Sequence, residues 1–173
     1  MRIQETRSEG FTLLVKDFMI RKVFTIKATN TVEELLEILN CNRIGGVPVV
    51  DEKDNLVGMV SDGDVLRYLS PKPLGFAGLV YLIEEGELED VILEKLNTPV
   101  KEIMTKRNVL SVSPDDEFET TLRLLSRHHY KKLPVINGAG RVVGVLSRGD
   151  IIDSISKIII SRDKQTSQKI SNK

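Results

Sequence analysis

Apolar residues recur at helical spacing between residues 32 and 39, with polar residues between them. They stand at i, i+3, i+4 and i+7, the pattern of a helix that turns one face towards a core. These residues are Val32, Leu35, Leu36 and Leu39. Thr31 and Glu34 add the Thr-x-x-Glu signature of a capping box, in which each side chain binds a backbone N–H at the helix start. The pattern predicts a helix that begins after Thr31 and is broken at Gly45-Gly46.

Shorter apolar runs on either side of this helix predict strands. The first is Val23-Phe24-Thr25-Ile26, which is rich in β-forming residues. Residues 47–50 and 56–60 form two more runs, and the turn-forming residues 52–55 between them indicate an antiparallel hairpin. A second helix is predicted from Asp62. The first part of the chain therefore has the predicted order β-α-β-β-α.

The same order is predicted again later in the chain, which indicates an internal duplication. Gly58-Met59-Val60-Ser61-Asp62-Gly63-Asp64 recurs 86 residues later as Gly144-Val145-Leu146-Ser147-Arg148-Gly149-Asp150. The block at residues 46–50 recurs at residues 132–136, again 86 residues later. The block that opens the repeat, residues 15–19, recurs at residues 100–104, 85 residues later. A strand at residues 109–112 and a helix containing Phe118, Leu122 and Leu125 complete the second copy.

The duplication predicts a mixed α/β (α+β) fold of two β-α-β-β-α repeats. One repeat of about 55 residues is too small to bury a satisfactory core, so we expect the two to pack sheet to sheet about a pseudo-twofold axis. The expected segments are an N-terminal arm (1–14), repeat 1 (15–69), a helical insertion (70–99), repeat 2 (100–160) and a polar, disordered tail (161–173).

Composition and charge narrow the class of protein. The 173 residues are 40% hydrophobic, and 25 basic residues balance 25 acidic ones. This is typical of a soluble globular protein and gives no global signal for nucleic acid. Cys41 is the single cysteine, so no internal disulfide is possible, and neither a signal peptide nor a membrane-spanning run is apparent. We expect a cytoplasmic protein that does not enter a membrane.

The repeated Ser-x-Gly-Asp block admits two interpretations. It lies where a strand ends and a helix begins, and helix N-termini attract phosphate. The Ser61 hydroxyl can donate to a phosphate oxygen, and the Asp64 carboxylate can accept from the two hydroxyls of a ribose. The alternative is a capping pair that needs no ligand. Duplication does not decide between them, because a duplicated structure duplicates its caps.

Pro48 and Pro134 each fall inside a predicted strand. Proline cannot donate to a β-ladder, so an edge-like or kinked strand is expected at each. Backbone groups before each proline are then available to bind an adenine edge.

The chain resembles a tandem pair of cystathionine-β-synthase (CBS) domains, a Bateman module. The resemblance lies in residues 46–50, residues 58–64, the 32–39 helix and their second-repeat counterparts, and it covers roughly residues 15–69 and 100–155. It implies a regulatory, non-catalytic homodimer with two clefts between its repeats. The family often binds AMP, ADP, ATP or S-adenosylmethionine there. It implies no required cofactor and no metal.

The resemblance also implies which residues contact the ligand. The serine of the motif contacts phosphate and the aspartate binds ribose, while residues near the first strand and before the proline line the base pocket. In repeat 1 these are Thr25, Gly46, Val47, Pro48, Ser61 and Asp64. In repeat 2 they are Ser111, Lys132, Leu133, Pro134, Ser147, Arg148 and Asp150.

The two copies differ beside the motif. Asp62 is replaced by Arg148, and Gly45-Gly46 by Lys131-Lys132. A guanidinium is a natural phosphate clamp, whereas a carboxylate repels phosphate. We therefore expect the more anionic ligand at repeat 2, unless these are solvated surface charges.

Other candidate residues favour structural roles. Adjacent side chains such as His128 and His129 point about 100° apart on a helix, so surface positions are favoured over a shared metal. Cys41 is predicted to pack at the end of an apolar helix face. No nucleophile–base arrangement or phosphate-binding Walker loop appears.

Three functions remain open. The first is a sensor that binds an adenosine compound and signals to an unidentified regulated protein. The second is an interaction module with empty clefts, in which residues 70–99 dock a partner. Nucleic-acid binding ranks last, because the basic residues near the C-terminus are sparse and lack aromatic neighbours. Those residues are Lys157, Arg162, Lys164, Lys169 and Lys173.

Overall fold

A computed structural model describes residues 13–70, 87–127, 131–157 and 160. The predicted N-terminal arm before residue 13, most of the 70–99 insertion, His128-His129 and the 161–173 tail lie outside the described residues. The fold is mixed α/β, as expected. The strands are β1 (Ile26–Lys27), β2 (Gly46–Val50), β3 (Leu56–Ser61), β4 (Lys132–Ile136) and β5 (Val142–Ser147). The helices are α1 (Val32–Asn42), α2 (Asp62–Leu69), α3 (Glu87–Leu96), α4 (Phe118–Arg127) and α5, which includes residues 148–157.

The chain divides into two compact units whose boundaries differ from those of the repeats. The repeat-1 unit contains Lys22–Leu110 and Gly138–Val142. The repeat-2 unit contains Met1–Arg21, Ser111–Asn137 and Val143–Lys173. Each unit therefore contains the residues with which the other repeat begins.

The 3₁₀ turn Val15–Asp17 opens repeat 1 but lies in the repeat-2 unit. Val15 N–H donates to the Asp116 carbonyl at 3.0 Å, and Val15 is fully buried. Phe18 stacks on Phe118 with ring centroids 3.8 Å apart. These backbone and ring contacts fix the turn in the repeat-2 unit.

The 3₁₀ turn Val100–Glu102 makes the matching exchange in the repeat-1 unit. Val100 N–H donates to the Asn30 carbonyl at 2.8 Å, and Lys101 N–H to the Ala28 carbonyl at 3.0 Å. Asn30 and Asp116 are equivalent positions, 86 residues apart. The two turns are therefore held by the same interactions.

In the repeat-1 unit, the sheet has the order β1-β2-β3 and α1 packs against it. β1 is parallel to β2, while β2 and β3 form the predicted antiparallel hairpin. The predicted capping box is present: Thr31 N–H donates to Glu34 Oε2 at 2.7 Å, and Glu34 N–H donates to Thr31 Oγ1 at 3.2 Å. The apolar stripe of α1 is buried in this core, with Leu36 partly buried.

Two details around α1 correct the sequence prediction. The helix ends at Asn42, before the two glycines, because Arg43 adopts a left-handed conformation (φ 52°) that closes its last turn. Cys41 is exposed, so it does not pack in the core as predicted. Its position places it on the solvent side of the helix, away from the stripe formed by Val32, Leu35 and Leu39.

The first strand of repeat 2 is shorter than predicted. Instead of a strand over 109–112, only Val112 pairs with β4, through a parallel bridge to Val135. In repeat 1, Ala28 N–H extends the ladder by donating to the Val50 carbonyl at 3.2 Å. Pro114 occupies the equivalent position and has no N–H to donate. The ladder therefore cannot continue there.

Candidate functional site

The repeated Ser-x-Gly-Asp block forms a helix cap in the repeat-1 unit. Ser61 is the last residue of β3 and the N-cap of α2. Its backbone N–H donates to Asp64 Oδ2 at 2.8 Å, and its hydroxyl donates to the same oxygen at 2.7 Å. The capping arrangement, which sequence left as one of two interpretations, is therefore present. It brings the two candidate polar side chains into direct contact.

Arg67 is a neighbour of this site that the sequence analysis missed. It lies one helical turn after Asp64 and forms an ion pair with Asp64 Oδ1. The Asp64 side chain is 12% exposed, whereas that of Arg67 is 73% exposed. The i,i+3 spacing was the signal that could have identified this pair.

The repeat-2 unit carries the same cap. The Ser147 hydroxyl donates to Asp150 Oδ2, and Asp150 N–H donates to Ser147 Oγ at 3.2 Å. The residue equivalent to Arg67 is Asp153, and it pairs with Lys157 at 2.6 Å. The local charges along the two helices therefore differ, although the caps agree. Lys157, which was considered as a nucleic-acid contact, is occupied by this pair.

One backbone hydrogen bond ties each motif to the strand beside it. Asp62 N–H donates to the Gly45 carbonyl, and Arg148 N–H donates to the Lys131 carbonyl, both at 3.1 Å. Position 62 in one unit and position 148 in the other therefore have the same backbone environment. Asp62 in the repeat-1 unit and Arg148 in the repeat-2 unit therefore place opposite charges at equivalent positions.

The Asp62 carboxylate lies over the glycine before β2. Its Oδ1 accepts a hydrogen bond from Gly63 N–H at 2.7 Å. A side chain at Gly45 would begin 3.0 Å from its Oδ2. Gly46, paired with Ser61 in the β2–β3 ladder, leaves even less room: a Cβ there would lie 2.9 Å from the Val60 carbonyl oxygen. Glycine at both positions allows the strand and the motif to approach closely.

The strand positions predicted to line a base pocket are mostly buried. Gly46, Val47 and Pro48 are buried in β2, and Val47 belongs to the core cluster and pairs with Val60. Leu133 and Pro134 are equally buried in β4. Apolar side chains inside the core are not available to a ligand. The predicted contact with an adenine edge is therefore limited to the backbone groups of these strands.

An edge-like or kinked strand was predicted at each proline, and each proline does lie where pairing with the first strand of its repeat has not yet begun. β2 is the central strand of its sheet, but the pairing of β1 begins opposite Val49, one residue after Pro48. The bridge of Val112 likewise begins opposite Val135, one residue after Pro134. Each proline is tolerated because the neighbouring strand starts just beyond it.

The remaining predicted residues lie at the borders of these elements. Thr25 and Ser111 are half-buried and immediately precede the residues that pair with the proline strands. Lys132 is half-buried and Arg148 exposed, and both interact with other residues. The structure thus brings Ser61, Asp64 and Gly46 together in one unit and Ser147 and Asp150 together in the other.

Within the described residues, no group of three or more His, Cys, Asp or Glu side chains is arranged to hold a metal ion. No helix in the described ranges is both long and apolar enough to cross a bilayer.

Comparison with known proteins identifies the repeats. The family model of the CBS domain matches residues 15–71 and 100–157. The chain belongs to the CBS-domain family. It contains two CBS domains, whose matched residues agree closely with the duplicated blocks.

Similar proteins include other CBS-domain proteins. The chain is 33% identical over 159 residues to the chloroplastic CBS domain-containing protein CBSX1 of Arabidopsis thaliana, a match that covers 87% of this chain and 67% of that protein. It is 29% identical to CBSX2, which was solved in complex with AMP; the match has a TM-score of 0.65 and covers 86% of this chain and 98% of the solved CBSX2 chain.

A more distant likeness concerns the fold alone. The CBS domain pair of protein MJ0100 was solved in complex with 5′-methylthioadenosine and S-adenosyl-L-methionine. It is 23% identical, with a TM-score of 0.62, and the match covers 84% of this chain and 98% of that domain pair.

Proposed function

We propose that the protein is a regulatory sensor that binds an adenosine-containing ligand beside each Ser-x-Gly-Asp cap and signals its occupancy to a partner protein. The observation that carries this proposal is the pair of Ser–Asp contacts, Ser61–Asp64 and Ser147–Asp150, at two equivalent strand-to-helix junctions. The AMP complex of the similar protein CBSX2 supports the ligand class. AMP, ADP, ATP and S-adenosylmethionine are the candidate ligands.

The cap can become a ligand contact with a small rearrangement. In the repeat-1 unit, Arg67 occupies the carboxylate oxygen that a ribose hydroxyl would approach. The Arg67 side chain is 73% exposed, so water can solvate the guanidinium when it leaves, and the ribose hydroxyls can replace it at the Asp64 carboxylate. The Ser61 hydroxyl can then turn from Asp64 towards a phosphate.

Signalling requires a ligand that binds two arrangements of the protein with different affinity. We propose a homodimer as the responding assembly. Leu66 and Ile152 are equivalent positions, 86 residues apart, and they are 69% and 63% exposed. Large apolar side chains repeated at the same place on α2 and α5 are suited to contact a second copy.

The protein is proposed to regulate a reaction rather than catalyse one, because each Ser–Asp contact is that of a helix cap. A cytoplasmic location is part of the proposal, and the exposed free thiol of Cys41 is consistent with a reducing compartment. Fluorescence microscopy of a tagged protein in its native cell tests the location.

A protein-interaction module remains the second candidate. It is favoured by α3, which exposes Val91 (38%) and Leu93 (54%) in the segment predicted to dock a partner. In that case the caps hold no ligand, and occupancy by adenosine compounds plays no part.

A thermal-shift screen distinguishes the two functions. The panel contains AMP, ADP, ATP, S-adenosylmethionine and NAD, each with and without Mg²⁺, at about 100 times the dissociation constant where solubility allows. A bound ligand then stabilises the native state by about 2.7 kcal/mol. For a chain of this size we expect Tm to rise by roughly 5–10 °C. No shift with any compound would contradict the sensor and favour the interaction module.

A further inference from the structure

We propose that the two sites take different adenosine compounds. The repeat-2 site takes a nucleotide with two or more phosphates, and the repeat-1 site takes a compound whose 5′ substituent carries no phosphate. This inference rests on the proposed function, since it divides the ligand class between the sites. Its basis is the distribution of charge around two caps that share a serine–aspartate contact and one backbone hydrogen bond to the preceding strand.

The first argument concerns the end of the site where a helix would face phosphate. Asp62 and Arg148 are equivalent, because each donates its N–H to the carbonyl of the residue before β2 or β4 at the same 3.1 Å. The carboxylate of Asp62 also receives Gly63 N–H, one of the amides at the start of α2. The Gly63 amide is thus already bound to the Asp62 carboxylate, and a phosphate would have to displace that carboxylate.

The second argument concerns the strand beside the motif. In the repeat-1 unit this strand begins with Gly45 and Gly46, and the Asp62 carboxylate leans over Gly45. In the repeat-2 unit the same places hold Lys131, which is exposed, and Lys132, which is half-buried. Three cations therefore replace two glycines and an anion. Such a cluster matches the spread of negative charge on a di- or triphosphate.

The third argument concerns the cation of the repeat-1 unit. Arg67 stands beside the site, but it pairs with Asp64 and so lies at the ribose end. The equivalent residue, Asp153, is an anion paired with Lys157. In repeat 1 the cation Arg67 pairs with the aspartate of the motif, Asp64. In repeat 2 the cations Lys131, Lys132 and Arg148 lie before or at the start of the helix. The repeat-1 arrangement suits a neutral or cationic group, such as a sulfonium, next to Asp62.

Isothermal titration calorimetry with ATP and with S-adenosylmethionine tests the division. We expect wild-type protein to bind one ATP per chain, and saturation with S-adenosylmethionine to leave the ATP affinity unchanged within about threefold. Arg148→Asp is expected to weaken ATP binding by at least about tenfold and to leave S-adenosylmethionine binding intact. Asp62→Arg is expected to add a second ATP per chain and to weaken S-adenosylmethionine at least about fivefold.

Both substituted side chains are exposed, so folded variants are expected, and thermal melts of each check this. Lys132→Ala provides a second variant for the repeat-2 site, with the same expected loss of ATP and no loss of S-adenosylmethionine. Two equivalent ATP sites in wild-type protein, or direct competition between the two ligands, would overturn the division while leaving the sensor intact. If neither ATP nor S-adenosylmethionine binds, the division is overturned; if no compound in the thermal-shift panel binds, the proposed function is overturned as well.

Discussion

The Ser61–Asp64 and Ser147–Asp150 caps share a hydrogen bond from the serine hydroxyl to the aspartate carboxylate, but the charges beside them differ. Both serines contact their aspartates, and both motifs are tied to the preceding strand by a 3.1 Å backbone hydrogen bond. Around them, Asp62 stands against Arg148 and Arg67 against Asp153. The cap is needed to begin a helix in each copy, whereas the neighbouring positions are free to change. The comparison shows that the serine–aspartate contact is kept in both copies while the charges beside it change.

The largest expected difference between the two copies concerns the glycines of β3 and β5. A Cβ at Gly58 would lie 2.9 Å from the Thr105 carbonyl oxygen, whose residue bridges Met59 through two backbone hydrogen bonds. The three atoms nearest a Cβ at Gly144 all belong to the Met19 side chain, with its Sδ at 2.6 Å. Because a methionine side chain adapts and a bridged carbonyl does not, Gly58→Ala should cost about 1–3 kcal/mol and Gly144→Ala less.

Urea unfolding of both variants measures this difference. Gly138→Ala is the matched control, since nothing lies within 4 Å of a Cβ there. We expect the control to change the free energy of unfolding by no more than about 0.5 kcal/mol. Equal losses for Gly58→Ala and Gly144→Ala would show that the two glycines are equally constrained.

A smaller difference is expected at the buried faces of α1 and α4. Leu35 and Thr121 are equivalent positions, and both are 0% exposed. The Thr121 hydroxyl has no hydrogen-bond partner in the described part of the chain. Replacing it with a methyl group in Thr121→Val should therefore stabilise the protein by about 1 kcal/mol, which raises Tm by about 2–4 °C.

Differential scanning calorimetry tests this expectation. Thr121→Ser is the control, because it keeps the hydroxyl and removes the methyl group, and its Tm should fall. A fall in Tm for Thr121→Val would mean that the hydroxyl does make a stabilising interaction in the folded protein.

The smallest expected effect separates the starts of the same two helices. The hydrogen bond from the Thr31 backbone N–H, with that from the Asn30 side chain, lowers the pKa of Glu34 below its ordinary value of 4.5. A lowered folded-state pKa gives stability that is present above pH 4.5 and is lost as the pH falls through the folded value. The equivalent positions of repeat 2, Glu117 and Thr120, carry the two residue types in reverse order, so the Thr-x-x-Glu capping signature is not repeated there.

The difference in unfolding free energy between wild type and Glu34→Gln should therefore be constant near neutral pH and shrink as the solution becomes more acidic. Glu33→Gln is the control, because it removes a charge from the same turn and leaves the Glu34 bond to Thr31 intact. A difference that stays constant down to pH 2 would contradict the assigned cause of the pKa shift.

The local elements could be predicted because their causes are local. The capping box of Thr31 and Glu34, the buried stripe of α1 and the β2–β3 hairpin each follow from residues close in sequence. Each 3₁₀ turn lies in the unit of the other repeat, and this could not be predicted. The sequence Val-Lys-Asp or Val-Lys-Glu does not indicate which repeat supplies the carbonyl groups that accept hydrogen bonds from its N–H groups. The short first strand of repeat 2 was missed because its residues were judged by their β propensity alone, whereas Pro114, which has no N–H, ends the ladder just beyond Val112.

The contact between the serine and the aspartate of each motif could be predicted, whereas the other neighbours of these side chains could not. The Ser–Asp contacts follow from spacing, because residues three apart meet at a helix start. Arg67 could not be found from the duplicated block, because it lies three residues beyond the end of that block and its counterpart in repeat 2 is Asp153. The burial of Val47 and Leu133 was also missed, since their sequence pattern is the same for a core strand and for the wall of a pocket.

The central claim is that each Ser–Asp cap is also a ligand contact, and the binding of ATP and of S-adenosylmethionine to the double variant Asp64→Asn/Asp150→Asn tests it most directly. Asparagine keeps the size of the side chain and an oxygen that can accept from the serine hydroxyl, so the caps and the fold should persist, with a small loss in Tm. Equilibrium dialysis should then show the affinity for both compounds reduced by at least about tenfold, because the charged acceptor for the ribose hydroxyls is gone. Wild-type affinity in a folded double variant would contradict the claim and leave the two motifs as helix caps alone.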